Sequence, residues 1–181
     1  MAVIKIKDLS KIRRIHPNEK IVFCSGVFDL THAGHALFFE DCKKQGDILV
    51  VAVGRDADIR KYKGNGHPIL NQYIRLKMID SMKAVDYCLL GSSIKKTDMI
   101  MPMRGMLMRL LPDIYAVNND AFDMPARRRL VRECGAKLTV CKRSCPVEFG
   151  EISTTKIIET IRRFDHEKKA REDASGFLCN P

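Results

Sequence analysis

Two apolar runs, Ile21-Val22-Phe23-Cys24 and Ile48-Leu49-Val50-Val51-Ala52-Val53, restrict this chain more than any other feature. Neither alternates with polar residues, so each reads as a strand covered on both faces. Between them, about Thr31 to Gln45 has helical character and stops at Gly46, where a glycine commonly ends a helix. A strand, a helix and a second doubly covered strand close as a right-handed crossover in a parallel sheet. Further strands are expected at Val85 to Leu90, Ile114 to Val117 and Lys137 to Cys141, with helices at Asn71 to Lys83 and Ala121 to Cys134. The expected fold is α/β: a single Rossmann-like domain with a five-stranded, mainly parallel sheet and helices on both faces.

Residues 1–20 are expected to form a leading helix centred on Asp8 to Ile15, residues 21–166 the domain, and residues 167–181 a partly disordered tail. Arg55 to Leu70 reads as a long polar, glycine-bearing connection. In the helix from Asn71, the spacing turns Ile74, Met78, Ile79 and Met82 inward and Arg75 and Lys77 outward. The methionine-rich stretch from Ile94 to Leu111 reads as adaptable core.

The connection after the first strand is Gly26-Val27-Phe28-Asp29-Leu30-Thr31-His32-Ala33-Gly34-His35. Two histidines three residues apart share one face of the first helical turn. Unpaired backbone N–H groups and the positive end of the helix dipole favour an anion there. Gly26 admits a ligand close to the backbone, and Gly34 keeps a side chain from between the imidazoles. These features describe a phosphate pocket that is neither a Walker loop nor a dinucleotide-type glycine fingerprint. Near the other end, Ser153-Thr154-Thr155 opens the last helix, and its hydroxyls suit either capping or phosphate binding.

A net charge of +10 points to anionic partners. Arg127-Arg128-Arg129 reads as a solvated helix face, and without an aromatic-interleaved basic stripe nucleic acid is not an expected partner. No run is long enough to cross a membrane and no secretory signal is evident, so a cytoplasmic location is expected. Seven irregularly spaced cysteines fit reduced, mostly buried thiols; with no Cys-x-x-Cys pair, no metal site is expected.

His32-Ala33-Gly34-His35 behind Gly26-Val27-Phe28-Asp29, with Ile152-Ser153-Thr154-Thr155-Lys156-Ile157 later in the chain, resembles the cytidylyltransferase-like nucleotidyltransferase superfamily. Within it, Lys63-Gly64-Asn65-Gly66-His67-Pro68-Ile69, Arg75 and Ala84-Val85-Asp86-Tyr87 look most like the heptose-1-phosphate adenylyltransferases. That group has Val-Lys-Gly-Gly-Asp after the fourth strand, where this chain has Ala116-Val117-Asn118-Asn119-Asp120, and an arginine in place of His67.

The resemblance implies attack of a substrate phosphate on the α-phosphorus of a nucleoside triphosphate, ATP before CTP, with release of pyrophosphate. It makes His32, His35 and Lys63 the catalytic candidates. Gly26, Val27, Phe28, Asp29, Gly34 and Arg75 would bind nucleotide, as would Ser153, Thr154 and Thr155 through the β- and γ-phosphates. Asn119 and Asp120 would face base, ribose or acceptor, and Asp29 could instead fix the turn through backbone N–H groups. Mg²⁺ is expected with the triphosphate, and a homodimer is expected. The acceptor implied is a small phosphorylated substrate, such as heptose 1-phosphate. The alternatives are a CTP-dependent enzyme acting on glycerol 3-phosphate or a related alcohol phosphate, and a non-catalytic nucleotide-binding regulator.

Overall fold

The computed structural model describes residues 2–93, 101–119, 121–141, 145–150 and 152–176. Its centre is a six-stranded parallel sheet in the order β1-β4-β3-β2-β5-β6. The strands are β1 (Ala2–Val3), β2 (Ile21–Gly26), β3 (Ile48–Val53), β4 (Tyr87–Leu90), β5 (Ile114–Asn118) and β6 (Lys137–Cys141). The expected count of five missed β1, an edge strand of two residues paired with Tyr87 and Cys88. Two residues are too few to show a period of two, so only the partner strand defines it.

β2 and β3 pair over six residues, and alternate residues of each enter different cores. Val22, Cys24, Leu49, Val51 and Val53 meet α2 (Ala33–Lys43) and α4 (Gln72–Asp80) on one face. Ile21, Phe23, Val50 and Ala52 meet α1 (Leu9–Ile15), α5 (Met101–Leu110) and α6 (Met124–Cys134) on the other. Period-two exposure to two apolar layers is why these strands carry no polar alternation. The chain proceeds outward from β2 through β3 to β4, then resumes on the opposite side of β2 with β5 and β6. Strand order therefore reverses beside β2, and the carboxyl ends of β2 and β5 bound a crevice of the kind in which open α/β sheets bind ligands.

Three local expectations are corrected. The segment read as a polar connection from Arg55 contains α3 (Asp56–Lys63). Its first turn carries Asp56 and Asp58 and its last turn Arg60, Lys61 and Lys63, so the charges complement the helix dipole, while Ile59 supplies one buried anchor. α4, capped by Asn71 Oδ1 accepting from Tyr73 and Ile74 N–H, is rotated relative to the expected face. It buries Arg75, Leu76 and Ile79 and leaves Ile74 and Met78 exposed. Finally, α7 runs Thr154–Gly176, ten residues beyond the expected stop near His166 and well into the expected tail.

Of the methionine-rich stretch, α5 buries Met103, Met106, Leu107 and Leu110; residues 94–100 lie outside the described residues. Cys24, Cys42, Cys88 and Cys141 are buried thiols. No helix of the described residues is long and apolar enough to cross a membrane.

Candidate active site

A cleft of about 630 Å³ opens at the carboxyl ends of β2, β3 and β5. The β2–α2 turn forms one wall. Within it Phe28 and Leu30 hold φ of 53° and 43°, left-handed values that cost a non-glycine residue strain. Asp29 between them is buried and over-determines the turn. Its Oδ1 accepts from Leu30 N–H (3.1 Å) and Leu70 N–H (2.9 Å), and its Oδ2 from Ile69 N–H (2.7 Å). Both carboxylate oxygens thus tie the β2–α2 turn to the segment after α3, the bonding pattern expected of a turn-fixing carboxylate.

His32 is the N-cap of α2, and its Nδ1 accepts from Gly34 N–H at 3.1 Å. His35 Nδ1 accepts from His32 N–H at 3.4 Å. With Nδ1 an acceptor in each ring, the neutral tautomer carries its proton on Nε2, so each imidazole presents a donor. The rings stack with centroids 4.0 Å apart, and the Phe28 edge braces His35 at 5.6 Å. A Cβ at Gly34 would come to 3.0 Å from His32 Cε1, and a Cβ at Gly26 to 2.7 Å from Phe28 Cζ. An added carbon at Gly26 would force Phe28 to shift, and one at Gly34 would press the His32 ring by a few tenths of an ångström.

The N-terminus of α7 meets the same cleft. Ser153 Oγ caps the helix by accepting from Lys156 N–H (3.2 Å), and Thr154 Oγ1 donates to the Asp29 carbonyl (2.9 Å). Ser153, Thr154 and the exposed Thr155 all line the cleft. Two helix N-termini, from segments over a hundred residues apart in sequence, are thereby joined through the Asp29 turn. Lys63, at the end of α3, and His67 also line the cleft.

Arg75 is placed elsewhere. It is 0% exposed, beneath the cleft floor, and donates to the carbonyls of Leu70 (2.9 Å), Val27 (2.5 Å) and Gly54 (2.7 Å) and to Asp56 Oδ1 (2.6 Å). The guanidinium knits three loops together where sequence reading had it facing phosphates. Asn119 is exposed and outside the cleft lining, and Asp120 lies outside the described residues.

Other lining residues escaped the sequence reading. Arg55, two residues beyond the end of β3, lines the cleft and donates through Nε to the Gly91 carbonyl (2.7 Å). A cation at the carboxyl end of an apolar parallel strand was a readable signal. Arg127, expected on a solvated face, is instead 5% exposed in the cleft wall, while Arg128 and Arg129 are exposed as anticipated. Among the described residues, the permanent cations lining the cleft are Arg55, Lys63 and Arg127, and the carboxylates lining it are engaged, Asp29 by backbone N–H groups and Asp58 by Lys61 at 3.3 Å. The balance favours an anionic occupant.

The Cytidylyltransferase-like family matches residues 23–160. FAD synthase of Methanothermobacter marburgensis is 36% identical over 156 residues, covering 83% of this chain and 91% of that protein. The bifunctional protein HldE of Desulfatibacillum aliphaticivorans is 31% identical over 164 residues, and the match spans 87% of this chain but only 31% of that protein. Among solved structures, the lipopolysaccharide core biosynthesis protein of Thermoplasma volcanium superposes with a TM-score of 0.57 at 30% identity, covering 71% of this chain and 99% of that one. Two helix N-termini converging with paired histidines on a crevice at the strand-order reversal accompany these matches, and the chain belongs to the Cytidylyltransferase-like family.

Proposed function

We propose that the protein transfers a nucleoside monophosphate, adenylyl before cytidylyl, from a nucleoside triphosphate to a small phosphorylated acceptor, with release of pyrophosphate. The observation that carries this reading is the convergence of the α2 and α7 N-termini, tied through Asp29, on a cleft lined by His32 and His35.

The acceptor phosphate is an anion at neutral pH and attacks the α-phosphorus without needing a strong base. As the bond to the pyrophosphate oxygen breaks, negative charge grows on the bridging and non-bridging oxygens. His32 and His35 donate hydrogen bonds to those oxygens, Lys63 neutralises charge from the α3 side, and the α7 terminus with Thr155 holds the outer phosphates. Gly26, Val27 and Phe28 shape the wall against which the triphosphate lies. Mg²⁺ belongs to this reading as the triphosphate's counterion. Asp29 and Asp58 are already engaged, and no metal-binding group of three or more acidic, histidine or cysteine side chains occurs among the described residues, so phosphate oxygens and water would hold it.

The resemblance to heptose-1-phosphate adenylyltransferases favours a sugar phosphate as acceptor. The FAD synthase relative, matched over nearly its whole length, supports FMN as the second candidate. Pyrophosphate release with ATP or CTP, each offered heptose 1-phosphate, glycerol 3-phosphate or FMN, tests the reading. One productive pair identifies the reaction; nucleotide binding with no pyrophosphate from any pair would favour a regulator and reject the proposal.

A further inference from the structure

The wall of the cleft formed by β5 and α6 holds a group of polar atoms that the triphosphate reading leaves unused. Arg127 Nε donates to the Phe122 carbonyl (2.8 Å), and Nη1 donates to Tyr115 Oη and to Met103 Sδ (3.6 Å). The guanidinium lies 4.7 Å from the Phe122 ring centroid and 5.5 Å from that of Tyr115. Tyr115 is itself fixed, with Oη 2.9 Å from Met103 Sδ and 3.1 Å from Ser25 Oγ.

No described carboxylate lies within ion-pair distance of Arg127. A guanidinium has five N–H donors; three are used, and both on Nη2 find no acceptor among the described residues. Burying a cation without a counter-charge is strongly unfavourable, and neutral hydrogen bonds with aromatic faces offset only part of it. Asn118, at the end of β5, supplies an independent observation. It lines the same cleft, and its Oδ1 is buried without a hydrogen-bond partner. A buried acceptor left unpaired also carries a cost. Together they match a molecule bearing an oxyanion and a hydroxyl or N–H donor.

We propose that Arg127 and Asn118 form the specificity-determining part of the acceptor site, Arg127 taking an oxyanion of the acceptor and the Asn118 amide, turned so that its sealed Oδ1 enters the cleft, accepting from a hydroxyl of the same molecule. This rests on the nucleotidyl-transfer reading above and extends it to the substrate. The oxyanion is a phosphate or a carboxylate on a hydroxylated chain. Arg127 is preorganised for it by Tyr115, Met103 and Phe122, so little side-chain entropy is lost on binding.

The test titrates inorganic phosphate, glycerol 3-phosphate and glycerate into the protein saturated with α,β-methylene-ATP, using wild type, Arg127→Met, Arg127→Gln and Asn118→Leu. Wild type is expected to bind at least one probe. Phosphate against glycerate separates the two oxyanions. Whichever Arg127 variant folds should lose at least tenfold in probe affinity while binding the ATP analogue within twofold of wild type. Asn118→Leu should weaken the hydroxylated probes about fivefold and leave inorganic phosphate unchanged. The assignment is overturned if wild type binds no probe, if the Arg127 variants bind probes normally, or if they lose the ATP analogue to the same extent, which would give the site to the nucleotide. Failure of the transfer reading is distinguishable: it abolishes pyrophosphate release by wild type and leaves probe binding dependent on Arg127.

Discussion

Replacing Arg75 with methionine separates a ligand of the triphosphate from a structural tie beneath it. The side chain is 0% exposed and satisfies three backbone carbonyls from three loops and the Asp56 carboxylate. Methionine keeps much of the volume and leaves those acceptors without a donor. Breaking a buried ion pair costs about 3–5 kcal/mol, and each stranded acceptor about 1–3 kcal/mol where water cannot reach it. Because the carbonyls lie just under the cleft, water entering in place of the guanidinium can satisfy them, so the lost ion pair sets the total, about 3–5 kcal/mol. With a urea m-value of about 2 kcal/mol/M, the unfolding midpoint should fall by about 1.5–2.5 M. Arg75→Lys should recover less than half, since one ammonium cannot span four acceptors set by a planar fork. Urea melts followed by far-UV circular dichroism, beside nucleotide affinity measured on the folded fraction, read both quantities. A midpoint within about 0.3 M of wild type together with weakened ATP binding would refute the structural role and return Arg75 to the phosphates.

His35→Ala should lower turnover about 10²–10³-fold, with nucleotide affinity changed only a few-fold, because a transition-state donor is lost; stopped pyrophosphate assays and equilibrium binding check it. Gly34→Ala should hold or slightly raise the melting temperature, since alanine favours a helix, yet cut turnover by pressing on His32, whose Cε1 lies 3.0 Å from the added carbon. At acid pH, Asp113 contributes a defined step. Partial desolvation acts against ionisation, but the Ile21 N–H and the Arg13 guanidinium at 2.6 Å hold its carboxyl below the usual range. The stabilisation is therefore complete above about pH 4, the usual unfolded-state value, and is lost as pH falls through the folded one. Exposure limits it to under about 1 kcal/mol, and Asp113→Asn should flatten that part of the stability–pH curve. A brief maleimide pulse at pH 8 with peptide mass mapping should label exposed Cys145 and spare Cys88, whose thiol burial pushes up to about 12, along with Cys42 and Cys141.

The alternation of apolar strands and helices, and the turn from Gly26 to His35, were legible because each rests on residues adjacent in the chain. A doubly buried strand must be apolar throughout, and a helix N-terminus binds anions wherever it occurs. The family resemblance came from the same local strings, His32-Ala33-Gly34-His35 and Ser153-Thr154-Thr155. What periodicity could not supply was the partner of each charged side chain. Arg75 and Arg127 look like solvated helix residues beside their neighbours, because the carbonyls of Val27 and Gly54 and the ring of Tyr115 reach them only after the sheet forms. A cation's burial is decided by groups distant in sequence, so a helical wheel placed Arg75 outward and Ile74 inward, and the fold reversed them. Strand β1 was invisible for the same reason: two residues become a strand only beside Tyr87 and Cys88. Local sequence thus determined five of the six strands, their crossovers and the turn from Gly26 to His35. Tertiary structure alone decided which arginines are buried, that Asp29 joins two helix ends, and that Arg127 has no carboxylate partner among the described residues.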